Sequence, residues 1–237
     1  MRGKGFTFKQ FHICHERCAM KVGTDGTLLG AWATLPPQAQ HILDIGTGSG
    51  LIAIMAAQRH LSAQISAIDI DDECIIQARE NIDTCPWNNR IKLHHTALQD
   101  FHAEHKFDVI VSNPPYFVDS LLSPDDKRST ARHTSTLSFD ELTEGVLRLL
   151  APNGTFALIL PPAESKLFLS AARGKLYLTR CTELWSTPQS GVRRVLMELQ
   201  TTPPIAIPTT DRLCIEDEEK NFSDEYRALT KDFYLKF

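Results

Sequence analysis

No run of about 18 apolar residues occurs in the chain, so a membrane-spanning helix is not expected. The opening residues, MRGKGFTFKQF, lack the apolar block of a signal peptide. Both absences lead to the expectation of a cytoplasmic protein. Cysteine is sparse and scattered, at positions 14, 18, 74, 85, 181 and 214. A chain of 237 residues can bury its own core and does not need disulfide staples. The segment HICHERC sets His12, Cys14, His15 and Cys18 close together, yet no second cluster follows at a usual zinc spacing, so no metal is expected. It reads as a packed or exposed turn. Positive charge is also short: the formal net charge is −4, which argues against a general nucleic-acid-coating protein. Repeats and low-complexity segments are absent.

What charge there is lies unevenly. Residues 1–35 hold five bases against two acids, and residues 211–237 hold eight acids against five bases. Local basic patches can meet phosphates without making the whole chain basic. The pair Arg193–Arg194 is read as ordinary solvated surface.

From about residue 40 the pattern alternates between short apolar runs and helical segments. HILDI (41–45), ISAIDI (65–70), IKLHHT (91–96), FDVIVSN (107–113) and TFALILP (155–161) read as strands. Helices are expected over 51–60, 71–82, 138–154 and 164–174. The third of these begins with Ser138, Asp140 and Glu141 and stops at Pro152 and Gly154. Residues 176–186 and 192–200 read as a hairpin across TPQSG. Strands separated by helices, then a hairpin, give an α/β fold: a doubly wound, mostly parallel sheet with an antiparallel edge. Ligands of such sheets bind beyond the carboxyl ends of the strands. The loop DIGTGSG, Asp69, Thr96–Ala97 and Asn113 all fall at such ends. TTPPIAIPTT (201–210) reads as a proline-rich connector.

The loop holds Asp44 and glycines 46, 48 and 50, which allow positive φ and a close approach of backbone to ligand. Nicotinamide enzymes, flavoproteins and nucleotide binders use similar loops. Asp69 lies 19 residues after Gly50, where an acid can accept from both ribose hydroxyls. Asp44 narrows the choice, because a carboxylate ahead of the loop repels a pyrophosphate. S-adenosyl-L-methionine carries no phosphate, and its ammonium and sulfonium are attracted by a carboxylate. The bland alternative for Asp44 is an acid that braces the loop through backbone amides.

After the fourth strand comes NPPY (113–116). A planar amino group holds its lone pair in a π system, and acceptors aimed at its two hydrogens draw it toward a nucleophilic geometry. The side-chain carbonyl of Asn113 can take one hydrogen and the backbone carbonyl of Pro114 the other. The prolines hold the turn before substrate arrives. Tyr116 can stack on a flat substrate. The alternative is a proline turn that merely ends a strand.

DIGTGSG, the acid ending the second strand and NPPY resemble the class I S-adenosylmethionine-dependent methyltransferases over about residues 38–200. The resemblance implies a seven-stranded sheet with its last strand antiparallel, and methylation of an amino group on adenine, cytosine, guanine or a glutamine amide. It also implies an acid after the third strand that bonds the cofactor adenine. Here HHTALQD (94–100) puts Leu98 at that place. Backbone groups of Ala97 and Leu98, or Asp100 after a shift, are left to make the contact.

The N-terminal run is more specific. QF at 10–11, His15, CAMKVGTDG at 18–26, LLGAW at 28–32, TARHTSTLSF at 130–139 and DFYLKF at 232–237 resemble a bacterial family of tRNA adenine-N6 methyltransferases. That family modifies an adenine beside the anticodon of a valine tRNA. The resemblance implies tRNA as the partner, with no obligate protein partner. Thr24 and Asp25 then cover the methionine end of the cofactor, the Asp bonding its ammonium. Lys21 reaches a phosphate or the cofactor carboxylate. Pro115 and Phe117, with Lys127, Arg128, Arg132 and His133 of the following loop, form a wall over the substrate. Phe6, Phe8 and Phe11 are interleaved with Lys4, Lys9 and Gln10; packing onto the sheet is preferred over RNA contact. The expected organisation is an extension over the site (1–37), a methyltransferase domain (38–200) and a connector with docking tail (201–237). Competing readings are a glutamine-amide or ribosomal RNA guanine-N2 methyltransferase, and a non-catalytic protein of the same fold that binds cofactor or RNA.

Overall fold

The computed structural model describes residues 4–115 and 137–236. A small antiparallel hairpin, β1 (Gly5–Thr7) with β2 (His12–Cys14), precedes the helix α1 (Thr24–Trp32). The main sheet then builds from β3 (His41–Ile45), β4 (Gln64–Asp69), β5 (Ile91–His95), β6 (Phe107–Ser112), β7 (Leu150–Leu160), β8 (Tyr177–Trp185), β9 (Val192–Gln200) and β10 (Thr210–Cys214). Its spatial order is β10-β8-β9-β7-β6-β3-β4-β5. All neighbours run parallel except β9, which is antiparallel to both β7 and β8. This is the mostly parallel sheet expected, with one strand added. β10 grows out of the proline-rich connector and pairs with β8 at the edge.

The strands alternate their side chains between two layers, as period-two geometry requires. Ile42, Val109, Val111, Ala157 and Ile159 face one core, while Leu43, Ile110, Phe156, Leu158 and Leu160 face the other. The first face is covered by α1, α2 (Leu51–Arg59) and α3 (Asp72–Thr84), with Tyr226 of α6 (Asp224–Thr230). The second is covered by α4 (Phe139–Leu149) and α5 (Pro162–Ala171). Helix starts follow from the sequence. Ser138 and Glu141 form a reciprocal capping box on α4. The Asp71 carboxylate accepts from the Cys74 amide at 2.8 Å to start α3. α4 ends earlier than expected: Leu150 turns extended at ψ 139° and is buried opposite Phe107, so β7 begins before Pro152.

The two ends of the chain meet. Phe8 stacks on Phe11 at 4.6 Å and on Tyr234 at 5.9 Å, and the Lys9 amide donates to the Phe233 carbonyl at 2.8 Å. Phe8, Phe11 and Phe233 are buried, so the N-terminal aromatics pack, and only Phe6 stays partly exposed. Among the described residues, no helix is long and apolar enough to cross a membrane.

One edge of this sheet gathers the chemistry. The glycine loop follows β3, Asp69 ends β4, Thr96–Ala97 follow β5 and Asn113 follows β6. Because β9 runs the other way, its opening residues reach the same edge: Val195 pairs with Leu160, the last residue of β7. The N-terminus of α1 lies over it.

Candidate active site

A cavity of about 270 Å³ opens at this edge. Its wall combines the segment Met20–Gly26, the loop backbone from Gly46 to Ser49, Leu51 and Ile52 of α2, and Asn113. The structure thus brings Lys21, Thr24, Asp25, Gly46, Gly48 and Asn113 together around one space. Asp44, Gly50, Asp69, Ala97 and Leu98 lie outside that lining.

The glycine loop is shaped by positive φ angles of 68° at Gly46, 56° at Gly48 and 83° at Gly50. Its amides at Gly46 and Thr47 donate to the Ile68 carbonyl at 3.0 Å, which ties it to the end of β4. A Cβ added at Gly46 or Gly48 would meet no heavy atom within 4 Å, so both face open space. Gly50 serves packing instead, since its missing side chain lies against Ala78 and Ile82, and it starts α2.

The acids near the loop divide by position. Asp44 is 1% exposed, and one carboxylate oxygen accepts from the Thr47 hydroxyl at 2.6 Å and the Ala53 amide at 3.1 Å. Burial pushes its carboxyl up to about 7 against those hydrogen bonds. These bonds brace the loop from beneath. Asp69 accepts from the Gly48 amide at 2.8 Å and the Asp71 amide at 3.0 Å, so it clasps the loop from the side. Asp25 opens the first turn of α1, and Arg194 of β9 donates to it from Nε at 2.7 Å. Arg194 is therefore not the solvated surface residue that the run Arg193–Arg194 suggests; nothing local in the sequence signals a partner 169 residues away.

Leu98 is buried, and its side chain fills the space left by Gly145 of α4. Its carbonyl accepts from Arg148 at 2.6 Å. The leucine found where an acid was expected is thus a packing residue between β5 and α4, while Asp100 is exposed.

Asn113 is half-buried at the cavity, and its side-chain oxygen is buried with no hydrogen-bond partner among the described residues. A Cβ on Gly26 would come to 4.0 Å from its amide nitrogen, so α1 passes directly beside it. The preceding Ser112 hydroxyl donates to the Ile45 carbonyl at 3.0 Å, which locks the end of β6 to the start of the glycine loop. Pro114 is buried and Pro115 exposed. Tyr116, Phe117, Lys127, Arg128, Arg132 and His133 lie outside the described residues.

The HICHERC segment is held by ordinary contacts. The His15 ring accepts from the Val22 amide at 3.1 Å, and Asn81 bonds the Cys14 backbone in both directions. Cys18 and Cys74 are both buried free thiols. No group of three or more His, Cys, Asp or Glu is placed to hold a metal among the described residues.

The donor set fits S-adenosyl-L-methionine. The cavity carries one carboxylate, Asp25, and one ammonium, Lys21, and open glycine backbone between them. That suits a ligand end bearing both an ammonium and a carboxylate. The carboxylates of Asp25 and Asp69 beside the loop disfavour a pyrophosphate.

Comparison with known proteins agrees with this geometry. The methyltransferase small domain matches residues 24–159. The chain is 47% identical over 234 residues to the tRNA1(Val) (adenine(37)-N6)-methyltransferase of Parabacteroides distasonis, covering 98% of each. It is 44% identical to the enzyme of the same name from Pseudoalteromonas translucida, covering 98% of this chain and 99% of that one. Among solved structures, a predicted O-methyltransferase from Agrobacterium tumefaciens superposes with a TM-score of 0.71 at 17% identity, over 88% of this chain and 96% of that one. A glycopeptide N-methyltransferase complexed with S-adenosyl-L-methionine gives 0.54 at 13% identity, over 75% and 95%. At these identities the structural likeness speaks to the fold.

Proposed function

The chain belongs to the methyltransferases of the small-domain family, and on that premise we propose that it methylates N6 of adenine 37, beside the anticodon, in a tRNA1(Val). Relatives of that name, matched from end to end, support the substrate. The observation that carries the chemistry is the unpartnered, buried oxygen of Asn113 at a cavity shared with the glycine loop.

S-adenosyl-L-methionine, when bound, supplies an electrophilic methyl group on a sulfonium. The protein's part is to hold and orient. Asp69 accepts from ribose hydroxyls while its clasp on Gly48 keeps the loop open. Asp25 and Lys21 take the ammonium and carboxylate of the methionine end, and Thr24 covers it. The backbone amides of Ala97 and Leu98 would be the groups offered to the adenine of the cofactor. Asn113 Oδ1 and the Pro114 carbonyl accept the two N6 hydrogens of the target base, which draws its lone pair toward attack. An oxygen already desolvated and held in place costs no reorganisation when the base arrives. Tyr116 stacks the base, and Pro115 and Phe117 with the basic residues Lys127, Arg128, Arg132 and His133 enclose it against the anticodon loop. Residues 1–37 act as a cover over this site, 38–200 as the transferase unit and 201–237 as a tail docked on it. With a tRNA substrate the protein acts in the cytoplasm, without an obligate protein partner.

The test is direct. Purified protein is incubated with methyl-labelled cofactor and an unmodified tRNA1(Val) transcript, and the product is digested and identified by nucleoside mass analysis. N6-methyladenosine from position 37 is expected. Label in N2-methylguanosine or in a glutamine side chain of added total protein would overturn the reading, as would tight cofactor binding without transfer to any acceptor.

A further inference from the structure

Arg194 stands behind the cavity wall and reaches it through Asp25. Its strand brings it to the carboxyl edge of the sheet, next to the exposed Arg193. From there its Nε donates to Asp25 at 2.7 Å, and one terminal nitrogen donates to the Arg193 carbonyl at 2.8 Å. Both side chains of the ion pair are partly buried, at 31% exposed for Arg194 and 25% for Asp25. Asp25 itself lines the cavity, with Lys21 on the same wall. The carboxylate that faces the cofactor's ammonium is therefore already holding a guanidinium.

We propose that Arg194 couples cofactor occupancy to RNA affinity, by exchanging Asp25 for a backbone phosphate of the substrate when a cofactor ammonium reaches Asp25. This rests on the tRNA methylation reading above. The physical reason is that one carboxylate serves two cations. An ammonium drawn to Asp25 neutralises the charge that holds Arg194 and adds repulsion between two neighbouring positive groups. In a partly buried place that repulsion is screened less than at the open surface. Arg194 cannot shed its charge, and its planar guanidinium is suited to bidentate contact with phosphate. A docked RNA substrate offers backbone phosphates, the kind of anion that a guanidinium fork takes. Lysine at this position would hold Asp25 as a point charge but lose the fork. The coupling is reciprocal: whatever factor the cofactor adds to RNA affinity, RNA adds to cofactor affinity.

The experiment measures binding. Fluorescence anisotropy of a labelled tRNA1(Val) transcript is followed with and without saturating S-adenosylhomocysteine, which has the ammonium but no transferable methyl group. The expected result is an RNA affinity roughly fivefold tighter with S-adenosylhomocysteine. The log–log salt dependence should also steepen by about 0.7–0.9, one further phosphate contact. 5′-Methylthioadenosine, which lacks the ammonium, should give neither change. In Arg194→Gln both changes should vanish. Equal RNA affinity with and without S-adenosylhomocysteine, the same gain with 5′-methylthioadenosine, or a coupling retained in Arg194→Gln would each overturn the proposal. Should that variant fail to fold, the wild-type salt slopes and the 5′-methylthioadenosine control still decide. Methylation of the transcript without coupling removes this inference alone; no methylation at all removes the functional reading.

Discussion

β4 and β6 end at the same edge of the sheet with opposite treatment of a polar side chain. At the end of β4 both oxygens of Asp69 accept backbone amides, from Gly48 and from Asp71. At the end of β6 the oxygen of Asn113 is buried and has no partner among the described residues. A buried polar atom without a partner costs about 1–3 kcal/mol, and of the atoms so placed the Asn113 oxygen belongs to a residue that lines the cavity. Asp69 clasps the glycine loop and the start of α3 with both oxygens. In the function proposed above, the Asn113 oxygen is the acceptor kept for hydrogens that arrive with a substrate. Asp44 stands between the two: one of its oxygens carries two bonds, to the loop and to α2, while the other is buried without a partner among the described residues, beneath the cavity rather than in it.

Breaking the Asn113 side of this contrast should have the largest effect. Asn113→Ala is expected to lower kcat by roughly 10²–10³-fold, as for a lost preorganised polar group, with the affinity for S-adenosylhomocysteine nearly unchanged. Single-turnover methylation beside calorimetric binding checks both halves; unchanged turnover would remove Asn113 from the chemistry. Breaking the Asp69 side should do the reverse. Asp69→Ala removes a charge-assisted bond to Gly48 and is expected to weaken S-adenosylhomocysteine binding by roughly 10–100-fold. A loss of turnover at saturating cofactor that exceeds this binding loss would dissolve the distinction between the two strand ends.

The smallest effect concerns Asp44 and appears as a pH dependence. Burial pushes its carboxyl up to about 7 in the folded protein, from a usual value near 3.8. Between those two values the folded state holds a proton that the unfolded chain has released. Folding stability from this group is therefore full at low pH and is lost as pH rises from about 4 to about 7. Relative to Asp44→Asn, the wild-type Tm should fall by a few degrees across that window and run parallel to it above. Thermal melts of both proteins between pH 4 and 8 measure the difference; a flat difference would mean that Asp44 is not buried as a brace.

Much of the site was readable because its signals are local. A glycine loop between an apolar run and a helical one, an acid at the end of the next strand, and Asn–Pro–Pro after another depend on residues a few positions apart. Backbone sterics act at that range. The same holds for the start of α4, where Ser138 and Glu141 cap the helix within a single turn. Asp44 was only half legible. Its place beside the loop is a local fact, but whether it faces ligand or backbone depends on α2 packing over it, which puts the Ala53 amide within 3.1 Å. Leu98 is similar: its departure from the acid expected there was visible, and its reason, the space at Gly145 of α4, was not.

The alternating pattern of strands and helices, the residues at the strand ends and the kind of cofactor those residues suit were determined by the sequence alone, since each follows from side chains near one another along the chain. Tertiary structure decided the rest. It laid β9 antiparallel so that Arg194 meets Asp25, drew β10 out of a proline-rich connector onto the sheet edge, and closed Phe8 against Tyr234. Those contacts join residues up to 226 positions apart. They form because apolar faces and opposite charges find one another only after the sheet has been assembled, and no spacing in the sequence encodes that meeting.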